Sequence, residues 1–255
     1  MGDAQPRNVL WTSGWDSTFR VATLVLTEGC VVQPWYVKDS GRRSTKTELR
    51  TMESLRSLLE QRDASVRERL LPTKVFEMAD IPADDEVTRK HRSLVERSFL
   101  GNQYDWLSRF AQWQGITLEL CIHRDDKAHG FLEEAVERDD LGMYRLSSGT
   151  NGDLTVFAPF VFPLFDTTKR EMQCAAEAGG FADVLEETWF CFNPTLRGEP
   201  CSRCNPCRYT RDEGLGRRVP PPSPMRTVQA LSLEYSWIAL CRVRAAAQRL
   251  RGTPR

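Results

Sequence analysis

The chain has no excess charge of either sign. Lys plus Arg is 35 and Asp plus Glu is 35 in 255 residues, so the net charge is zero. No global positive field draws it to a nucleic-acid backbone. Long apolar runs are missing too: no stretch approaches the roughly 20 residues that a membrane helix needs. The opening "MGDAQPRNVLW" has an early acidic residue and no apolar core, so it does not read as a secretory signal. The expectation is a cytoplasmic protein with no membrane partner, in which cysteines are reduced thiols, metal ligands or nucleophiles. The familiar nucleotide fingerprints are also absent. There is no G-x-x-x-x-G-K-[ST] and no G-x-G-x-x-G, which excludes the usual NTPase loop and a dinucleotide loop. There are no internal repeats.

What is present is alternation. "NVLWT" reads as a short strand and "STFRVATLVLTEG" as a helix stopped by Gly29. "CVVQPWYVKD" is a strand. "STKTELRTMESLRSLLEQ" carries Leu49, Met52, Leu55, Leu58 and Leu59 at helical spacing. "TKVFEMADI" is a strand, residues 84–113 are mostly helix, "ITLELCIH" is a strand and "FLEEAVER" a helix. "TVFAPFVFPLF" is an apolar strand, and "TTKREMQCAAEAG" a helix closed by Gly179-Gly180. Strands alternating with helices predict an α/β fold with a doubly wound parallel sheet, and apolar strand runs without strict alternation agree. After residue 188 the composition turns to Cys, Pro and Arg, and "VPPPSPM" at 219–225 reads as a stiff linker before a last helix from about Val228 to Leu250. The expected division is residues 1–188, an α/β domain; 189–218, a four-cysteine segment; and 219–255, linker and helix. Leu231, Tyr235 and Ile238 form a partial stripe on that helix that could pair in a homodimer.

The first strand leaves through Thr12-Ser13-Gly14 and re-enters a helix at Asp16-Ser17-Thr18. The first β-α turn of a parallel sheet lies where such folds bind ligands, and the amides of a helix start attract anions. A capped turn with no ligand is the plainer reading. A second constellation is "CFNPTLRGEPCSRCNPCR", in which Cys191, Cys201, Cys204 and Cys207 are separated by nine, two and two residues. Two overlapping C-x-x-C pairs present three thiolates from one turn, and Cys191 closes a tetrahedron, as in a structural zinc site. An iron–sulfur cluster is the competitor, because C-x-x-C-x-x-C also opens ferredoxin-type motifs. Cys30, Cys121, Cys174 and Cys241 stand alone and read as small core residues.

"TSGWDST" resembles the Ser-Gly-Gly-x-Asp-Ser loop of the ATP-pyrophosphatase (PP-loop) superfamily. Aligned without gaps, Thr12 stands for the first Ser, Ser13 for the first Gly and Gly14 for the second, with Asp16-Ser17 as the closing pair. Deleting one residue would instead align Ser13-Gly14 directly with Ser-Gly. With "TWFC…PCSRCNPCR" the chain resembles the 7-cyano-7-deazaguanine synthase, or QueC, family over roughly residues 8–214. "LGNQYDWLSRFA" and "PLFDTTKREM" resemble further segments of that family. The chain departs from it at Asn102-Gln103, where the family has Arg-Asn, and after Asp125, where "DKAHGFLEE" replaces Tyr-Pro-Asp-Cys-Arg.

The resemblance implies an adenine nucleotide alpha hydrolase-like fold, with ATP, Mg²⁺ and Zn²⁺ as cofactors and a deazapurine carboxylate as substrate. The carboxylate would be adenylated with loss of pyrophosphate, then attacked by ammonia or by an amine on a protein. Thr12, Ser13, Gly14, Trp15, Asp16, Ser17 and Thr18 would bind the nucleotide. Asp16, Lys169 and Asp125 are the implied catalytic residues, and Cys191, Cys201, Cys204 and Cys207 the zinc ligands. Trp15 and Phe190 are candidate walls for a flat base. His123 and His129 flank Asp125 and read as incidental, and Arg208 could pair with Glu213.

Two other function classes stand beside this reading. A tRNA-modifying PP-loop enzyme would use the basic tail (Arg242, Arg244, Arg249, Arg251, Arg255) and a reactive thiol, for which Cys121 is the candidate. A catalytically dead, zinc-containing interaction module would use neither.

Overall fold

The computed structural model describes residues 5–39 and 41–251. In chain order the elements are β1 (Arg7–Leu10), α1 (Trp15–Ala22), β2 (Val32–Lys38), α2 (Thr45–Arg62), α3 (Val66–Arg69), β3 (Lys74–Glu77), α4 (Asp85–Arg97) and α5 (Gln103–Gln114). Then come β4 (Leu118–Glu119), α6 (His129–Leu132), β5 (Val136–Arg138), β6 (Tyr144–Leu146), β7 (Phe160–Phe162), α7 (Lys169–Ala178), α8 (Ala182–Glu186), α9 (Asn205–Thr210) and α10 (Pro224–Arg251). Seven strands form one sheet in the order β3-β2-β1-β4-β7-β6-β5. The five strands from β3 to β7 are parallel, and β6 and β5 add an antiparallel hairpin at one edge.

Alternation along the strands feeds two cores. Val9, Trp11, Val32 and Tyr36 point into one, filled by α1, α2, α7 and α8. Trp35, Val37, Leu118 and Phe160 point into the other, filled by α4, α5 and the 3₁₀ turn at Gly152–Phe157. A sheet buried on both faces removes the polar face that strict alternation would mark, which is why the strands read as apolar runs. Glu119 on β4 is buried and accepts from Arg7 of β1 at 2.6 Å and from Arg20 of α1 at 2.8 Å, so an ion-pair cluster ties the two central strands to the first helix.

The "FLEEAVER" helix is corrected. Only one turn, α6, forms; Val136–Arg138 instead pairs with β6. The helix preference of Glu133-Glu134-Ala135 is worth tenths of a kcal/mol per residue. It loses to edge pairing, which lets Val136, Tyr144 and Leu146 pack on the second core. "TVFAPFVFPLF" likewise divides into the 3₁₀ turn and the three-residue β7.

The last helix begins at Pro224 and holds Ala230 buried against the cysteine segment, while Tyr235 and Ile238 are exposed and Leu231 is half-buried. Of the basic tail, Arg255 and the side chains of Arg244, Arg249 and Arg251 lie outside the described residues. Among the described residues no helix is long and apolar enough to cross a membrane.

Candidate functional site

The sheet order reverses between β1 and β4, so the turn after β1 opens at the switch point where α/β sheets bind ligands. Trp11 is fully buried and donates from Nε1 to Thr18 Oγ1 at 3.0 Å, which pins the far end of the turn to the strand. Between them Ser13 takes φ 60°, in the left-handed region, and Gly14 returns to extended backbone at φ −73° and ψ 164°. An L-residue in that region costs roughly 1–2 kcal/mol. The left-handed position is thus the one the ungapped alignment gives to the family's first Gly. Gly14 is not held to glycine in the same way: a Cβ there would meet Thr12 Oγ1 at 3.5 Å, an ordinary contact.

Ser17 Oγ accepts from the Thr12 amide and donates to the Gly14 carbonyl, both at 3.4 Å. The amides of residues 15–17 form the first turn of α1, where helix geometry provides no internal acceptor. Thr12, Gly14, Trp15 and Asp16 line the cavity above this turn. Ser13, Ser17 and Thr18 do not: Ser13 is fully buried with no hydrogen-bond partner for its hydroxyl, and the Thr18 hydroxyl is engaged by Trp11. The hydroxyls of Ser17 and Thr18 thus brace the turn itself.

Lys169 reaches the same cavity from the start of α7. A capping box fixes that start: Thr168 Oγ1 accepts from the Glu171 amide at 3.2 Å, and Glu171 accepts from the Thr168 amide at 2.7 Å. Lys169 is buried, not an exposed helix lysine, and its Nζ lies 2.5 Å from Asp16 Oδ1 and 3.3 Å from Glu213 Oε2. Burial opposes the ammonium, but Asp16 and Glu213 outweigh it and hold its pKa above the ordinary lysine value. Burial likewise opposes the Asp16 carboxylate, but Lys169 and His123 outweigh it and hold its pKa below 3.8. Asp125 Oδ2 accepts from the backbone amide of Lys169 at 3.2 Å, so it helps cap α7.

His123 sits between the two aspartates, with Nε2 3.8 Å from Asp16 and Nδ1 3.8 Å from Asp125 Oδ2. The Asp125 amide donates to Nδ1 at 3.2 Å, which leaves Nε2 as the ring nitrogen facing Asp16. Asp126, also on the cavity wall, is pushed up by burial.

The cavity encloses about 580 Å³. Trp15 and Phe190 both line it, and the Arg218 guanidinium lies 5.2 Å from the first ring and 5.3 Å from the second. Burial pushes Arg218 down to about 10, still charged at neutral pH, and it is anchored by bonds to the carbonyl and hydroxyl of Thr188. Asn102, Gln103 and Asp125 line it too. Four cavity-lining groups had no part in the sequence-based expectation: Glu213, Arg218 and Asp126, given no site role, and His123, read as incidental. His123 lies two residues before Asp125, a spacing that places both at one strand end. Glu213 and Arg218 carry no local signal at all. Glu213 pairs with Lys169, and Arg208 bonds Asn205 at 2.7 Å instead.

The four cysteines gather at one point, with all ligand atoms within 4.8 Å of one another. Sγ separations are 3.4 Å for Cys204–Cys207, 3.8 Å for Cys191–Cys204 and 3.9 Å for Cys201–Cys207. Thiolates about 2.3 Å from one tetrahedral zinc stand about 3.8 Å apart, so the cluster fits a single ion. Iron–sulfur cubanes place each cysteine on a different iron and hold the sulfurs further apart. Amides of Cys201 and Cys204 donate to the sulfurs of Cys191 and Cys201, at 3.2 and 3.4 Å, which favours thiolate charge.

No curated protein matches the chain. The family model described as "Queuosine biosynthesis protein QueC" matches residues 145–218, a stretch that includes Lys169, Glu213 and all four cysteines but not the loop after β1. This match relates the chain to the QueC family as a divergent relative.

Proposed function

We propose that the chain is a QueC-like, ATP-dependent carbon–nitrogen ligase that adenylates the carboxylate of 7-carboxy-7-deazaguanine or a close relative and releases pyrophosphate. The observation that carries this is the buried Lys169, paired with Asp16 at the mouth of a turn on the sheet's switch point. A structural lysine would gain little from burial beside a helix start that already attracts anions. A reaction that drives off pyrophosphate needs fixed positive charge where negative charge develops. Lys169 and the amides of residues 15–17 supply it. Asp16 is the carboxylate suited to Mg²⁺, which adds charge neutralisation on phosphate oxygens. His123 Nε2 stands 3.8 Å from Asp16 on the same cavity wall. Trp15 and Phe190 offer flat apolar surface to a base, with Arg218 against both rings. The cysteine cluster suits Zn²⁺ in a closed, structural role.

The altered segments at Asn102-Gln103 and after Asp125 border the cavity, so the nucleophile need not be ammonia. An amine on a protein is the second candidate. Cys121 does not favour tRNA thiolation: burial, with Asp16 and Glu119 nearby, pushes its thiol well above the ordinary value and away from the thiolate. The test supplies ATP, Mg²⁺ and the carboxylate with and without ammonia, and measures pyrophosphate, small-molecule products and protein mass. Pyrophosphate release stimulated by the carboxylate is expected. Its failure with every deazaguanine tried would remove the reading.

A further inference from the structure

Three contacts run from the flanks of the cysteine cluster to the nucleotide turn. The Trp189 amide, two residues before Cys191, donates to the Ser13 carbonyl at 2.9 Å, and Trp189 Nε1 donates to the Cys191 carbonyl at 2.7 Å. Glu213, six residues after Cys207, pairs with Lys169, which holds Asp16. Arg218 lies against both Trp15 and Phe190 and bonds the Thr188 carbonyl. We infer that the cysteine segment is a clasp on the nucleotide turn, with Trp189, Glu213 and Arg218 as its positioning residues.

The turn needs such a clasp. Ser13 holds a left-handed backbone, and its hydroxyl has no partner to repay that conformation. Strained backbone persists only where surrounding structure over-determines it. The Trp189 bond to the Ser13 carbonyl is the constraint on the strained residue itself, and it comes from outside the turn. The clasp in turn has little regular structure of its own: between α8 and α10 lie only the six-residue α9 and two short irregular turns. Its four cysteines meet at one point, where a bound ion would tie the segment together. Metal loss therefore frees the turn's carbonyl, the cover on Trp15 and the second partner of Lys169 together.

This inference rests on the nucleotide reading only for the identity of what the turn binds; the coupling itself is readable without a ligand. Hydrogen exchange on the full chain measures it, before and after metal is stripped with a zinc-selective chelator, and for metal-loaded Glu213→Gln and Arg218→Ala. Stripping is expected to raise exchange by about tenfold over residues 12–18 and 205–218, as a local opening, while α4 changes less than about twofold. The two variants are expected to reproduce part of the rise at 12–18 while retaining metal. A rise confined to residues 189–207, or spread evenly over the chain, overturns the clasp. Affinity for a non-hydrolysable ATP analogue separates the two readings. Wild-type protein that takes up none removes the nucleotide reading and leaves the exchange data to decide the clasp. Wild-type protein that binds it equally before and after stripping overturns the clasp.

Discussion

The two candidate sites of this protein are built in opposite ways. The thiolate cluster comes from seventeen consecutive residues, Cys191 to Cys207, closed by a tight turn. The cavity comes from the ends of β1 and β4, the start of α7 and the irregular segment before α10, and spans residues 12 to 218. A cluster made by one ion gathers its own ligands. A cavity made by a sheet depends on every element that sets the strands in place. The first should fail all at once when one ligand is lost, and the second should fail by degrees, residue by residue.

The largest effect follows from that difference. Cys204→Ser is expected to lower bound metal from one ion per chain to near none and to cost solubility or folding, because metal binding to such a site is folding free energy, about 10 kcal/mol or more for small structural zinc sites. Metal analysis of the purified variant checks it, and full metal retention would show that the cluster tolerates three ligands. A brown protein with labile sulfide would replace the single ion by a cluster.

Next in size are changes within the cavity. Lys169→Ala and Asp16→Ala are each expected to reduce AMP formation at least about tenfold, or about 1.4 kcal/mol of transition-state stabilisation, with the fold retained. Unchanged rates in both would take the turn out of the chemistry. Smaller is Ser13→Gly. It removes a left-handed side chain and a buried unpaired hydroxyl, so it is expected to raise stability by about 1 kcal/mol in chemical denaturation. A loss of stability there would mean that the Ser13 hydroxyl has a partner.

The smallest effect is in pH. The folded-state pKa of Asp16 is held below 3.8, so its contribution to stability is present above that value and disappears as pH falls through the depressed one. Lys169 runs the other way: its pKa is raised above 10.5, so its contribution is present below that value and lost in alkali above the folded one. Asp16→Asn should flatten the acid limb of the stability curve below about pH 4. An unaltered limb would mean that other carboxylates govern it.

Much of this was open to reading in one dimension. Strand and helix periods, the punctuating Gly29 and Gly179-Gly180, and the four-cysteine spacing are local patterns, and local physics produced them. Asp16 and Lys169 were singled out through the resemblance of "TSGWDST" and "PLFDTTKREM" to family segments, and the fold brings the two side chains together. Where reading failed, the cause was distance along the chain. Glu133-Glu134-Ala135 has helix-forming composition, yet the next residues pair at the sheet edge. Glu213 sits in an unremarkable "RDEGL", 44 residues from the lysine it binds, and nothing in that stretch signals a site.

The sequence by itself determined the alternation that builds a parallel sheet, the turn at its first strand and a four-cysteine cluster that could hold a metal ion, because each depends on residues near in the chain. Only the tertiary structure decided that Ser13 bears the left-handed backbone, that His123 stands between two aspartates, and that Trp189, Glu213 and Arg218 close over the turn. Those are contacts between segments far apart in sequence. They exist because the sheet brings β1 and β4 side by side and the cysteine cluster folds the segment after α8 back over their ends.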